Sequence, residues 1–318
     1  MENLKSSNSP WTGTHTEAGD IHPASSMIIA DNGDFFLSDE VFSLFADFIY
    51  KKAGIRLSSQ KKVLLSSRLA KRIRSLGLRG FYDYYQKIKS EEEELVEMLN
   101  CISTNTTHFF RENHHFEYFK NTVVPELLKN KSSEKTLRIW SAGCSTGEEP
   151  YSIAIAVHEA LRQNGAVSAC SLPAACPSDW DIKILATDIS TKVLETAMTG
   201  IYEHEQLTGD MEAQVLNRYF LKGTGGNTGK IRVKDFVKDL VCFRRLNLKD
   251  HVYPFRRMLD VIFCRNVMIY FDQQMKQHVL AKFYDHLQAD GHLFLGHSET
   301  MHGAEKFVPV HITVYKKR

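Results

Sequence analysis

Two acids beside a glycine turn are the first residues of this sequence whose types and spacing suggest chemistry. The stretch Ser141-Ala142-Gly143-Cys144-Ser145-Thr146-Gly147-Glu148-Glu149 follows a short apolar run, Leu137-Arg138-Ile139-Trp140, and precedes the helical pattern Pro150–Gln163. A turn between a strand and a helix lets backbone N–H groups approach a ligand, and Gly143 and Gly147 carry no side chain to obstruct it. A phosphate site is one alternative, but neither the G-x-x-x-x-G-K-[ST] pattern nor the three-glycine dinucleotide fingerprint is present. Glu148 and Glu149 near a helix N-terminus would repel a pyrophosphate. They suit the cationic amino group and sulfonium of S-adenosylmethionine, although acids there also simply complement the helix dipole.

Asp188 is the second candidate. It follows the strand pattern Asp181–Ala186, at the carboxyl edge where open α/β sheets meet nucleotide riboses. A carboxylate there can accept both ribose hydroxyl hydrogens. It lies farther from the turn than the roughly 20 residues usual in dinucleotide folds, and the Asn164–Trp180 stretch accounts for the excess. The competing reading is an Asp that caps a helix starting near Ser190. Turn and carboxylate together favour the cofactor.

The elements that must position these residues fall into two regimes. Residues 1–34 carry Ser, Asn, Gly, Thr and Pro with little apolar periodicity and read as a mobile tail. Ser38 is placed to cap a helix in which Val41, Leu44, Phe45, Phe48 and Ile49 recur at helical spacing until Gly54. A second helix is expected from about Ser59 to Leu76, a third over Phe81–Lys89 and a fourth near Glu91–Cys101. After Lys131 strands alternate with helices: Leu137–Trp140, Asp181–Ala186, Leu259–Cys264 and His292–Gly296 as strands, with Pro150–Gln163, Ser190–Thr199 and Gln273–Gln288 as helices. That rhythm predicts a doubly wound parallel sheet, closed by Ile312–Lys316. Tyr219–Leu246 reads as a glycine-turned antiparallel excursion. The expected division is a tail over 1–34, a helical domain and linker over 35–130, and an α/β domain over 131–318 with a β-subdomain at about 219–246.

The composition is that of an ordinary globular chain, 43% hydrophobic and 25% charged with a net charge of +2, so bulk charge demands no nucleic acid or anionic surface. No run is long enough for a membrane span and no signal peptide opens the chain, so a cytoplasmic protein without direct membrane insertion is expected. The six cysteines lack zinc-site spacing, and Cys170 with Cys176 is the one pair close enough to suggest redox chemistry; reduced thiols and no metal are expected.

Three further segments make a family visible. They are Thr104-Asn105-Thr106-Thr107-His108-Phe109-Phe110-Arg111-Glu112, Phe263-Cys264-Arg265-Asn266-Val267-Met268-Ile269-Tyr270-Phe271, and Gly296-His297-Ser298-Glu299. With the glycine turn, and in this order, they resemble the CheR-type chemotaxis receptor methyltransferases from Phe35 to the C-terminus. The resemblance implies a Rossmann-like class I methyltransferase sheet behind an all-helical domain. It also implies S-adenosylmethionine-dependent methylation of glutamates on the cytoplasmic helices of chemoreceptors, with S-adenosylhomocysteine as product. By motif, the family's cofactor contacts fall on Asn105, Thr107, Arg111, Glu149 (or its neighbour Glu148), Asp188, Asn247, Leu248, Arg265 and Asn266. Its proposed catalytic pair falls on Arg111 and Tyr270. Gly143-Cys144 departs from the Ala-Ala of some relatives, and the Asn164–Trp180 loop looks longer than theirs.

Two surface features bear on partners. Between Lys51 and Arg79 there are ten Lys or Arg and no Asp or Glu. An all-basic helix face suggests an acidic partner. Arg68, Lys71, Arg72 and Arg74 are therefore the candidate contacts to a Glu-rich receptor segment. Nucleic acid fits on charge, but Gln60–Leu76 lacks the aromatics of a single-strand binder, so no nucleic-acid partner is expected. In the family, the excursion is a small subdomain that in some members binds a receptor C-terminal pentapeptide by strand addition. Leu221–Gly229 resembles the glycine-rich loop of those members. A monomer is expected. The competing functions are a cofactor-sensing adaptor without turnover and a nucleic-acid methyltransferase; the latter is disfavoured by Arg265-Asn266-Val267-Met268 in place of an Asn/Asp-Pro-Pro-Tyr motif.

Overall fold

A computed structural model describes residues 35–165, 179–207, 213–299, 301 and 306–318. The expected tail, the Cys170/Cys176 pair and most of the Asn164–Trp180 stretch lie outside these residues.

The described residues begin with four helices, α1 (Asp39–Ala53), α2 (Lys62–Ser75), α3 (Phe81–Ser90) and α4 (Glu92–Ile102). Ser38 caps α1, its hydroxyl accepting from Val41 N at 3.3 Å, and Gly54 ends it in the left-handed region at φ 71° with its N–H on Tyr50 O. Phe42, Phe45, Ile49 and Ala53 of α1 pack with Leu65, Leu69 and Ile73 of α2, Phe81, Tyr84 and Ile88 of α3, and Leu95, Met98 and Leu99 of α4. The inner stripe of α1 is rotated slightly from the expected one: Leu44 is 37% exposed and Phe42 takes the core place. A 3₁₀ turn over Ser59–Lys61 supplies the first part of the second expected helix.

After α4 the chain crosses to the sheet. Short helices α5 (Asn113–Tyr118) and α6 (Val124–Asn130), joined by a π turn over Phe119–Val123, pack Phe116, Phe119, Val123 and Leu127 into the same cluster as β1 (Thr136–Ala142) and α7 (Glu148–Gln163). Sandwiched between these helices and the sheet, α7 is buried from Pro150 to His158, beyond the single expected stripe of Ile153, Val157 and Leu161.

The remaining elements are β2 (Asp181–Asp188), α8 (Thr191–Thr199), β3 (Ile201–Glu203), α9 (Ala213–Tyr219), β4 (Phe220–Lys222), β5 (Lys230–Val233), α10 (Asp235–Lys238), β6 (Val241–Arg245), β7 (Leu259–Cys264), α11 (Gln273–His286), β8 (Leu287–Leu295), β9 (Phe307–His311) and β10 (Val314–Lys317). Among the described residues, seven strands form one sheet in the order β6-β2-β1-β7-β8-β10-β9. The first five run parallel, and β10 and β9 close the sheet antiparallel. The sheet is therefore mixed at one edge, where sequence rhythm alone predicts parallel strands.

A second, three-stranded antiparallel sheet has the order β3-β5-β4. It corrects the expected bounds of the excursion at both ends. β3 joins it from before Tyr219, with Ile201 opposite Arg232, while β6 leaves it and pairs parallel to β2 from Ile184–Val241 to Asp188–Arg245. The excursion thus begins and ends against the main sheet, and strand order reverses between β1 and β7, the place where open α/β sheets form a crevice.

Candidate functional site

The turn after β1 is held by β2 as well as by its own Gly147 N to Cys144 O bond of 3.0 Å. Gly143 N and Cys144 N donate to Thr187 O at 2.8 and 2.9 Å, and Trp140 Nε1 donates to Thr187 Oγ1 at 2.9 Å. Gly143 (φ 83°) faces Val267 so closely that a Cβ would lie 2.3 Å from its Cγ2. Only glycine allows the turn and the loop after β7 to meet there. Asp188, the last residue of β2, accepts from Ser145 N and from Ser190 N, each at 2.9 Å. It therefore supports the turn, while the cap of α8 is Ser190 itself. Burial pushes the Asp188 carboxyl up, and the N–H groups of Ser190, Ser145 and Ile189 pull it partly back.

The two acids of the turn part company. Glu149 faces the crevice: Oε1 accepts from Ser141 Oγ at 2.7 Å and Oε2 lies 3.3 Å from Arg265 Nη1. Burial raises its carboxyl, with Arg265 and the Ser141 hydroxyl opposing. Glu148 is 1% exposed, takes the Thr146 hydroxyl at 2.6 Å and does not line the cavity. Of the two expected acids only one can serve a ligand there, because neighbouring helical positions point about 100° apart.

The opposite wall is made of loops. Arg111 sits between Phe110 (φ 53°) and Glu112 (φ 58°), and its Nη1 donates to Thr106 O at 2.9 Å. Arg265 and Asn266 (φ 60°) follow β7, and a 3₁₀ turn over Met268–Tyr270 brings Tyr270 to the rim. This loop is clamped by Glu299, 4% exposed, whose carboxylate accepts from Asn266 N (2.8 Å), Gly296 N (2.7 Å) and Ile269 N (3.2 Å). The helical domain closes the rim: Arg56 N donates to Tyr270 O at 2.9 Å and Asn247 Nδ2 to Lys52 O at 2.7 Å. Among the described residues seven non-glycine residues have positive φ, and Phe110, Glu112, Ser145 and Asn266 all belong to segments around this crevice. Each such residue costs on the order of 1–3 kcal/mol, a strain found at functional sites.

One cavity of about 170 Å³ unites both walls. Asn105, Thr107, Arg111, Glu149, Asp188, Asn247, Leu248, Arg265, Asn266 and Tyr270 line it, so of the expected cofactor and catalytic positions it omits Glu148 alone. His108, to which the sequence alone assigns no role although it lies inside a motif, lines it too. Burial and the cations Arg111 and Arg265 push the His108 imidazole down. Glu299 likewise stands inside a motif without an expected role.

A family model described as CheR methyltransferase, SAM binding domain, matches residues 105–316, and a second, CheR methyltransferase, all-alpha domain, matches residues 40–103. This chain belongs to the CheR methyltransferase family. It is similar to the chemotaxis protein methyltransferase of Escherichia coli strain K12, 41% identical over 272 residues, covering 85% of this chain and 87% of that protein. The chemotaxis protein methyltransferase of Borreliella burgdorferi is 36% identical over 288 residues, covering 88% and 95%. Chemotaxis protein methyltransferase 2 of Pseudomonas aeruginosa is 39% identical over 285 residues, covering 89% and 95%.

A CheR methyltransferase takes S-adenosylmethionine as its methyl donor, and the donor set here fits that cofactor. Asp188 takes backbone N–H groups on both oxygens, and a carboxylate with about four acceptor sites keeps capacity for hydroxyl donors. Glu149 offers negative charge in a buried setting, and Leu246, Leu248 and Ile189 supply apolar wall.

The expected basic face of α2 divides in the CheR helical domain. Arg72 forms a two-bonded pair with the nearly buried Glu94 (2.9 and 2.7 Å), which also accepts from Tyr84 Oη at 2.8 Å. Arg68 donates to Ser103 O at 3.1 Å, to Ile102 O and to Thr104 Oγ1 at 3.2 Å, fastening the start of the linker. These two also serve the fold, by bonds that the sequence alone does not assign to them. Lys71 and Arg74 are exposed, with Arg74 also over the Phe35 ring at 5.7 Å.

Proposed function

We propose that this cavity methylates glutamate side chains on the cytoplasmic helices of chemoreceptors, giving glutamate 5-O-methyl esters and S-adenosylhomocysteine, and so sets adaptation in chemotaxis signalling. The observation that carries the reading is the meeting of Asp188 and Glu149 with Arg111 and Tyr270 in one cavity. When bound, S-adenosylmethionine supplies an electrophilic methyl group. Asp188 is assigned to its ribose hydroxyls and Glu149 to its cationic end, with Asn105, Thr107, Asn247, Leu248, Arg265 and Asn266 completing the pocket.

The chemistry asks little of a base. A free glutamate carboxyl, with a pKa of about 4.3, is ionised near neutrality and is already a nucleophile. Burial in the cavity would raise that pKa and favour the unreactive acid. Arg111 opposes this by pairing with the carboxylate, and a guanidinium can do so through two parallel hydrogen bonds. Tyr270 orients the same group from the rim. Alignment of this kind supplies on the order of 7–11 kcal/mol in well-oriented intramolecular reactions. Retention of both side chains in the cavity favours turnover over a sensing adaptor.

Receptor helices reach the rim past α2, where Lys71 and Arg74 offer charge. A receptor C-terminal pentapeptide adds to the outer edge of β4, next to the glycine-rich 223–229 loop and the half-exposed Leu221. The chain works as a cytoplasmic monomer, with no helix among the described residues long and apolar enough to cross a membrane. In packing terms the helical domain ends before Phe109, which joins the sheet cluster, so the domain division belongs in the linker rather than near residue 130. Titration calorimetry with a receptor tail peptide tests the strand-addition site: micromolar binding lost when β4 is altered is expected, and no heat with active enzyme removes it.

A further inference from the structure

The wall that carries Arg111 is held by one buried cation. Arg265, with a side chain 2% exposed, stands between Glu149 Oε2 (3.3 Å) and Glu112 Oε2 (3.2 Å) and lies 5.2 Å over the Phe116 ring. Its Nη2 donates to the backbone oxygen of Arg111. Glu112 is the hub of the opposite side. Its carboxylate accepts from Asn266 Nδ2 (3.3 Å) and His297 N (3.2 Å), and lies 3.5 Å from His115 Nδ1. Glu112 itself adopts φ 58°, one residue after Arg111, so the strained backbone is kept in place by these side-chain bonds. Glu112 does not line the cavity.

We infer that Glu112 is a positioning residue for methyl transfer: through Arg265 it fixes the Arg111 peptide, and with it the guanidinium that meets the substrate carboxylate. The inference rests on the assignment of Arg111 to that carboxylate. Its physical content is a division of one positive charge. With Glu112 ionised, Arg265 is shared between two carboxylates and spans the two walls. With Glu112 neutral, Arg265 is drawn to Glu149 alone, and its hydrogen bond to the Arg111 backbone loses the partner that aims it. A change in charge at position 112 should therefore misplace the reacting wall and leave the Asp188 wall as it is.

The test uses the full chain with a receptor cytoplasmic fragment. Glu112→Gln keeps shape and removes charge; Glu112→Asp keeps charge and shortens the arm. Expected for Glu112→Gln is a kcat lowered about 10–100-fold, since a misplacement of about 1 Å can cost that much, with the KM for receptor changed less than about threefold. S-adenosylhomocysteine affinity by calorimetry should fall by a smaller factor than kcat, because Asp188 is untouched while Arg265 shifts toward Glu149, and Glu112→Asp should recover a measurable part of kcat. The inference is overturned by normal kcat in Glu112→Gln while Arg111→Ala is inactive. It is equally overturned if kcat, S-adenosylhomocysteine affinity and melting temperature fall together in both variants, which marks a merely structural acid. An active Arg111→Ala would remove the underlying assignment instead, so the two failures can be told apart.

Discussion

The two walls of the cavity are built by different means. On the sheet side, Asp188 ends a strand paired on both flanks, and the 143–147 turn hangs from Thr187 by backbone hydrogen bonds. On the loop side, Arg111, Arg265, Asn266 and Tyr270 sit on irregular backbone held by the side chains of Glu112 and Glu299. A wall made from sheet backbone tolerates side-chain changes and loses only the contact removed. A wall held by a few carboxylates moves when one is lost. Cofactor affinity and turnover should therefore separate under mutation.

Arg111→Ala gives the widest separation. Turnover should fall about 100- to 1000-fold, as for loss of an electrostatic donor at a reacting group, while S-adenosylhomocysteine binding stays within a few-fold. Parallel loss of both would merge the two walls into one unit. Asp188→Asn should do the reverse. Removing a charged acceptor for hydroxyls costs about 1.5–3 kcal/mol, or roughly 10- to 100-fold in cofactor affinity, with kcat at saturating cofactor nearly retained.

Acid should reach the sheet side first. Burial raises both Asp188 and Glu149, so each takes up its proton at a higher pH than a free carboxyl, whose range is about 3.9–4.3. Cofactor affinity is then full above these raised values and declines as pH falls through them. Calorimetry across mildly acid pH should show the decline starting above the free-carboxyl range and changing form in Asp188→Asn. A flat profile down to that range would contradict the assignment of these acids.

The smallest effects separate the residues of α2. Lys71→Glu should raise the KM for receptor about two- to fivefold at low salt and less at high salt, with melting unchanged. Arg72→Met should instead lower stability by about 1–3 kcal/mol, because it strands the nearly buried Glu94. Unfolding curves and kinetics on the two variants decide between partner contact and fold.

Local signals make the elements legible. Ser38 and Gly54 mark α1, the Leu65–Leu69–Ile73 stripe marks α2, and the all-buried run Leu259–Cys264 marks β7. Contacts made by distant partners leave no such trace. β3 has three residues and is a strand only because β5 lies beside it; β6, with a burial pattern of one inward residue in five, joins the main sheet only because β2 has a free edge. The choice between Glu148 and Glu149 depends on Arg265, 116 positions away from Glu149. Glu112 and Glu299 are visible as letters in motifs, but their roles lie in hydrogen bonds that bridge separate loops. The bonds of Arg68 and Arg72 within the fold leave no local trace, because their acceptors, Glu94 and the end of α4, fall in another segment.

The central claim is that the cavity joining Asp188 to Arg111 forms methyl esters on receptor glutamates. Methyl-labelled S-adenosylmethionine incubated with the full chain and a receptor cytoplasmic fragment tests it most directly. The expected result is label on the fragment that base releases as methanol, formed about 100- to 1000-fold more slowly by Arg111→Ala and restored in Asp188→Asn by raising the cofactor concentration. Base-stable label, label on nucleic acid, or undiminished label with Arg111→Ala would contradict it.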